Sequence, residues 1–207
     1  MELELIKKAA VRNSLRKKKI DFLATGVGIT ATAYRLTKEL YKNRYDLAIN
    51  AGLAGTFKNV IKLGEVVNVV SDCFADLGAK KGTDFLTLAE MGLQEKNKFP
   101  FRNGWLHNSG AQRNGVLKEL KKANAITVNT VHDGSKNIKK VLEKFNPDIE
   151  TMEGAAFFYV CILEKIPCVQ LRAVSNIVGV RDKRKWNIPL ALKNLVDETV
   201  NFIETEH

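Results

Sequence analysis

Apolar residues in this chain gather in short runs closed by polar residues or glycine, and two spacings alternate from one run to the next. Asp21-Phe-Leu-Ala-Thr-Gly-Val-Gly28 is a compact run ending in two glycines, which predicts a strand, and helical spacing follows from Ile29 to about Tyr41. Asp46-Leu-Ala-Ile-Asn-Ala51 is a second such run, closed by Gly52-Leu-Ala-Gly55. Glu65-Val-Val-Asn-Val-Val-Ser71 and Ala125-Ile-Thr-Val-Asn-Thr130 are rich in β-branched residues and predict strands. Ser135 to Phe145 has helical spacing and stops before Pro147, whose ring cannot continue a helix. The run from 151 to 164 is apolar all round and predicts a buried helix. Pro167 to Val174 predicts a strand, and Ile188 to Glu204 an amphipathic closing helix. Strands alternating with helices predict an α/β fold, with a mixed, mostly parallel sheet flanked by helices. No repeat, low-complexity stretch or linker interrupts residues 1–207, so one domain is expected.

Residues 72–115 break the alternation; they are rich in Gly, Asn and Lys and carry Phe99-Pro-Phe-Arg-Asn-Gly-Trp-Leu-His107. A connection of that length serves a function or an interface. Its aromatics can cap a pocket or meet a second subunit; equally, they can form a small cluster of their own on the surface.

The 207 residues are 45% hydrophobic and 27% charged, the balance of a soluble globular protein. No apolar stretch reaches the roughly 18 residues that span a bilayer. The start, Met1-Glu-Leu-Glu-Leu-Ile-Lys-Lys8, is amphipathic and carries acids, unlike a secretory signal. Cys73, Cys161 and Cys168 are odd in number, lie in apolar contexts and lack metal-ligand spacing. A reduced, cytoplasmic protein is expected. The net charge of +10 collects in runs such as Arg16-Lys-Lys-Lys19 and Arg181-Asp-Lys-Arg-Lys185. These runs are scattered and lack the interleaved aromatics of a single-strand binding platform. They fit a solvated surface or the attraction of a small anionic substrate better than a nucleic-acid partner.

Candidate chemistry sits where apolar elements end. Glu153 opens the 151–164 run, and Ser175-Asn176 follow the 167–174 run. A carboxylate at the mouth of a buried helix costs free energy unless something binds it, although an acid is also simply favourable at a helix N-terminus. A fixed carboxylate and a fixed amide can grip a hydroxylated ring and a heterocycle, the outline of a nucleoside site. Gly26-Val-Gly28 lacks the third glycine of a dinucleotide fingerprint and an acid at ribose distance, so no nicotinamide or flavin cofactor is expected. His107, His132 and His207 make no metal constellation.

In order along the chain, Thr25-Gly-Val-Gly28, Ile49-Asn-Ala-Gly-Leu-Ala-Gly55, Leu63-Gly-Glu-Val-Val67, Met152-Glu-Gly-Ala-Ala156 and Arg172-Ala-Val-Ser-Asn176 resemble the nucleoside phosphorylase and nucleosidase superfamily. Asp76-Leu-Gly78, Ser175-Asn-Ile-Val-Gly179, Arg181-Asp182 and Trp186 narrow the likeness to the futalosine hydrolase family. The resemblance implies hydrolysis of futalosine to release hypoxanthine, on the menaquinone route through that compound. Methylthioadenosine/S-adenosylhomocysteine nucleosidase and 6-oxopurine nucleoside phosphorylase are the neighbouring readings, and a basic nucleotide- or nucleic-acid-binding protein is the non-enzymatic one. It further implies a purine nucleoside as substrate, no cofactor or metal, no nucleic-acid or membrane partner, and a homodimer or higher homo-oligomer in which loop 72–115 closes a neighbour's pocket.

Residue by residue, the resemblance puts Asn176 on the purine, where a donating amide suits N7 and O6 of a 6-oxopurine. It puts Glu153 on the ribose hydroxyls with Met152 packed on the sugar, and adds Gly28, Ala51, Gly52, Ser175, Val131 and His132 to the substrate-binding set. Arg172 anchors a carboxylate. The family pattern opens with an apolar strand followed by a Met-Glu segment; Met1-Glu-Leu-Glu-Leu5 looks like that segment. Glu4 therefore falls on the water-activating position, with Glu2 as its neighbour, and the first strand is expected to be missing. No arginine adjoins Gly26-Val-Gly28 or Leu47-Ala-Ile-Asn-Ala-Gly52 in sequence, which favours water over phosphate as the nucleophile.

Overall fold

A computed structural model describes residues 2–12, 18–57, 61–108 and 115–206. Arg16 and Lys17 of the first basic run, and 109–114 of the long excursion, lie outside the described residues. The elements in chain order are α1 (Glu2–Arg12), α2 (Ile29–Lys42), β1 (Ala48–Thr56), β2 (Val66–Phe74), β3 (Gly78–Lys81), β4 (Asp84–Thr87), β5 (Leu106–His107), α3 (Gly115–Glu119), β6 (Lys121–Thr127), α4 (Ser135–Phe145), β7 (Ile149–Thr151), α5 (Gly154–Leu163), β8 (Cys168–Ile177) and α6 (Ile188–Thr205).

Six strands form one sheet in the order β5-β2-β6-β7-β1-β8, and β2 also pairs with β8. The pairings therefore close a ring, β2-β6-β7-β1-β8 and back to β2. Parallel ladders carry the long registers, Ala48↔Cys168 to Thr56↔Ile177 and Val67↔Lys121 to Phe74↔Thr127. Antiparallel ones close the ring, at Gly55↔Glu150 and at Val67↔Arg172. The expected mixed α/β sheet is borne out. However, β1 and β8 run opposite to β2, β6 and β7, so the strand ends do not all share one edge.

Both faces of the sheet are covered, and strand alternation sorts the side chains between them. Ala54, Val67, Val69, Ala123, Ala125, Cys168 and Val174 pack with α5 and α2. Val66, Val169, Leu171 and Ala173 pack with Ala191, Leu195 and Phe202 of α6. Helix α5 is buried nearly all round, including Phe157 and Phe158, which explains why its sequence shows no polar stripe. Truncating the fully buried Phe158 to alanine would cost about 3–5 kcal/mol.

Three expectations need correction. Residues 21–28 are not a strand: left-handed backbone at Gly26 (φ 85°) and Gly28 (φ 92°) ends any extended path. The apolar run from 151 begins as strand, with Thr151 paired to Thr127, and its helix starts only at Gly154. Strand β8 runs on to Ile177, so Ser175 and Asn176 lie inside its last turn of ladder rather than beyond it. The 72–115 excursion is also less irregular than its composition suggests, since β3 and β4 form a hairpin within it.

Candidate active site

The ladder between β1 and β8 slips by one residue at Ala54/Gly55, so Ser175 is extra and Gly55 opposes Asn176. This bulge orients the amide. The Ser175 hydroxyl lies 2.9 Å from Asn176 Oδ1, and Asn176 Nδ2 donates to the Ile177 carbonyl at 3.2 Å. A hydroxyl on Oδ1 and a carbonyl on Nδ2 fix the amide one way round, leaving the second Nδ2 hydrogen to give. Gly55 makes room for it: a Cβ there would press on Asn176 Nδ2 at 3.2 Å and Val178 Cγ2 at 3.0 Å.

Four residues earlier on β8, Arg172 sits buried on the α5 face, opposite Gly52. A Cβ on Gly52 would overlap the guanidinium, so this glycine serves Arg172. Arg172 donates to Asn50 Oδ1 and, at 3.5 Å, to the Leu53 carbonyl; its Nη1 is 3.7 Å from Glu153 Oε2. Glu153 is the residue just before α5, and its other oxygen accepts from the Gly28 N–H at 3.1 Å. A carboxylate offers about four acceptor positions, so Glu153 keeps capacity for two hydroxyls. Its side chain remains 19% exposed, open to a ligand.

Beneath the start of α5 lies a polar network that sequence reading missed. Asp72 is fully buried and accepts from Thr127 Oγ1 at 2.9 Å and Gln170 Nε2 at 3.2 Å. Thr127 Oγ1 and Thr151 Oγ1 in turn accept the Ala155 and Gly154 amides, the first N–H groups of the helix. Gly154 is required, because a Cβ would strike Asp72 Oδ2 and the Gln170 amide. Burial pushes the Asp72 carboxyl up to about 7, against Gln170, Thr127 and the Arg172 charge. The Arg172 guanidinium is lowered by burial and sustained by Glu153, Asp72 and Glu2.

The acids of α1 separate by helical phase. Glu2 shares a face with the buried Ile6, and its charge acts on Arg172. Glu4, about 200° further round the helix, is 67% exposed and pairs with Lys7 at 3.5 Å. Glu4 is thus not brought to the cluster, whereas the charge of Glu2 helps to sustain the Arg172 guanidinium.

His132 lies in the loop after β6, where its N–H donates to Glu150 Oε1 at 3.1 Å and its Nδ1 meets Glu150 Oε2. Glu150 is buried on β7 and was also missed, since an acid ahead of Thr-Met-Glu reads as surface. Val131 packs with the α4-side cluster of Cys73 and Val141. Ala51 faces the α6 layer, away from Glu153, and Met152 is half-buried beside Glu153. By strand alternation Asn176 follows Gly55 and Arg172 follows Gly52, on opposite faces. A ligand touching both Asn176 and Glu153 must therefore lie along the end of β8. The cavity of about 180 Å³ lined by Phe74, Leu88, Phe101 and Trp105 is elsewhere, under the 72–115 excursion. Among the described residues no cluster of His, Cys, Asp or Glu is arranged to hold a metal, and no helix is long and apolar enough to cross a membrane.

The chain belongs to the phosphorylase superfamily, whose sequence profile spans residues 9–204. Within that family it groups with the futalosine hydrolases. The chain is 33% identical to futalosine hydrolase from Thermus thermophilus over 84% of its length and 76% of the relative's. It is 32% identical to futalosine hydrolase from Streptomyces coelicolor, covering 86% and 75% of the two chains. The solved futalosine hydrolase of Helicobacter pylori superposes with a TM-score of 0.67 at 15% identity, covering 86% of this chain and 75% of that one; this likeness concerns the fold. Membership makes the protein a nucleosidase-type enzyme.

Proposed function

We propose that this chain hydrolyses the N-glycosidic bond of futalosine and releases hypoxanthine. The observation that carries the reading is a pair of prepared groups: an Asn176 amide on β8 turned to donate, and a Glu153 carboxylate before α5 with acceptor positions to spare. Asn176 donates its one free Nδ2 hydrogen to the N7/O6 edge of the leaving base, stabilising the negative charge that gathers there as the bond lengthens. Glu153 accepts the ribose 2′- and 3′-hydroxyls and faces the oxocarbenium-like sugar. The placement of Glu2 supports it, in preference to Glu4, as the carboxylate that takes a proton from water. Arg172 is a positioning residue, holding Glu153 in place.

The finer parts of the reading are that residues 1–207 act as one domain, in the cytoplasm, on the menaquinone route through futalosine, as a homodimer or larger homo-oligomer. The exposed Leu93 (69%) and Phe99 (67%) of the 72–115 excursion supply apolar surface for a second copy.

The test follows free base from purified protein given futalosine, methylthioadenosine, or inosine with and without phosphate. Arg35 reaches the Ala24 carbonyl near the glycine turn (2.9 Å), so the phosphate arm matters. Hypoxanthine from futalosine without phosphate is the expected result. Adenine release from methylthioadenosine alone, or strictly phosphate-dependent cleavage of inosine, overturns it.

A further inference from the structure

Glu150 is a buried acid with no place in the reaction as drawn above, yet it makes two contacts to one residue. Its Oε1 accepts the His132 backbone N–H at 3.1 Å and its Oε2 meets the His132 Nδ1. The register Gly55↔Glu150 and Gly55↔Asn176 sets Glu150 and Asn176 on either side of Gly55, on the same face of the sheet. The Asn176 amide leans over Gly55, whose missing side chain permits this. The His132 ring stands on the Glu150 side, 20% exposed, with the Phe57 ring centroid 6.5 Å away.

A carboxylate only accepts, so the ring nitrogen facing it carries the hydrogen. In the neutral imidazole this fixes the tautomer: Nδ1–H points to Glu150, and Nε2 is left with its lone pair outward. A 6-oxopurine carries a hydrogen on N1, whereas a 6-aminopurine carries a lone pair there. The ring as held here matches the first and repels the second.

We propose that Glu150 and His132 form a specificity dyad in which Nε2 of His132 accepts N1–H of the base, while Asn176 donates on the N7 side. The proposal rests on the hypoxanthine reading above and adds the residues that reject adenine. Glu150 acts through His132 and is a positioning residue.

Glutamine at 150 gives a discriminating variant. The His132 backbone N–H requires an acceptor, so the glutamine oxygen takes that place and its NH₂ faces Nδ1. The tautomer inverts, and Nε2 becomes a donor suited to N1 of adenine. Competitive inhibition of futalosine cleavage by hypoxanthine, 1-methylhypoxanthine and adenine reads this directly. In the native protein, methylation at N1 should weaken binding by about five- to tenfold, the equilibrium worth of one hydrogen bond. Glu150→Gln should reverse the order of hypoxanthine and adenine, and His132→Phe should bind hypoxanthine and 1-methylhypoxanthine alike. Equal native affinity for hypoxanthine and its 1-methyl derivative overturns the dyad without touching the nucleosidase reading, and needs no variant to fold. Retention of the hypoxanthine preference in Glu150→Gln overturns it too. If the native protein cleaves no futalosine and binds none of the three bases, the proposed function falls, and the dyad with it.

Discussion

The Asp72→Asn variant measures what the buried network beneath α5 costs. Asp72 has no solvent exposure, and burial raises its carboxyl from an ordinary 3.8 to about 7. Because the folded value lies above the unfolded one, the native chain holds the proton more tightly. Its contribution to stability is complete below about pH 3.8 and is lost as pH climbs through about 7. That interval corresponds to a ceiling of about 4 kcal/mol. Asparagine keeps the shape and removes the charge. Its Oδ1 retains the bond from Thr127 Oγ1, and its Nδ2 faces the Gln170 amide. Gln170 can turn over to meet it, because its Oε1 has no partner in the native arrangement. The same turn lets a protonated Asp72 donate to Gln170, so the neutral acid is also accommodated.

Native and variant should therefore have similar stability near pH 4, with the variant ahead by up to about 4 kcal/mol near pH 8. Losing the attraction between Asp72 and Arg172 trims the gain, while Glu153 still faces the guanidinium. Urea titrations across that range, at one fixed protein concentration, supply midpoints and slopes for the comparison. Surface carboxylates held below their usual range, such as Glu90 at about 2 beside Lys144, titrate in both proteins and cancel in the difference. A difference that stays flat with pH, or that turns further toward the native protein as pH rises, refutes the account of Asp72.

Three other outcomes are expected. Glu2→Gln should lower kcat by about a hundredfold or more, as loss of a general base does, with Glu4→Gln near native; the reverse pattern in steady-state kinetics would move the base to Glu4. Asn176→Asp should shift kcat/KM from the hypoxanthine nucleoside toward an adenine one, or abolish turnover, and an unchanged ratio would count against the purine role of Asn176. Gly154→Ala forces a methyl against Asp72 and Gln170 and should cost about 1–3 kcal/mol; an unaltered urea midpoint would show that α5 can lift off the network freely.

The legibility of this chain follows from periodicity. Helix α4 was readable to its ends because Ser135 to Phe145 carries an uninterrupted helical spacing and Pro147 follows. Glu153 and Asn176 stood out as candidates because a polar residue at the edge of an apolar run costs free energy unless it is used. Asp72 was not, since it lies within Val66–Phe74 and alternation alone does not say which face becomes the dry one. Nor was Glu150: its partner, His132, is eighteen residues away in a loop, and only the register of β7 beside β1 brings the dyad next to Asn176. Sequence alone could not choose between Glu4 and Glu2, for a simpler reason. Alignment by motif fixes the residue within one or two places, whereas helical phase decides which of two neighbouring acids turns inward.

The charge around Arg172 bears on the choice between water and phosphate. One guanidinium is faced by Glu153, Asp72 and Glu2, so acids outnumber the cation even with Asp72 half protonated near neutral pH. The guanidinium is also spoken for, by Asn50, the Leu53 carbonyl and Glu153. An incoming phosphate would add negative charge to a region that already carries an excess of it, partly shielded from salt by burial of Asp72 and Arg172. Water adds none. The sugar, by contrast, becomes positive as the glycosidic bond breaks, and fixed negative charge nearby lowers the energy of that state more than of the neutral substrate. On the proposed reading, the same excess of acids would disfavour phosphorolysis and favour departure of the base, and Arg172 would set its size: without the arginine, Glu153 would lose its anchor and the acids would repel one another.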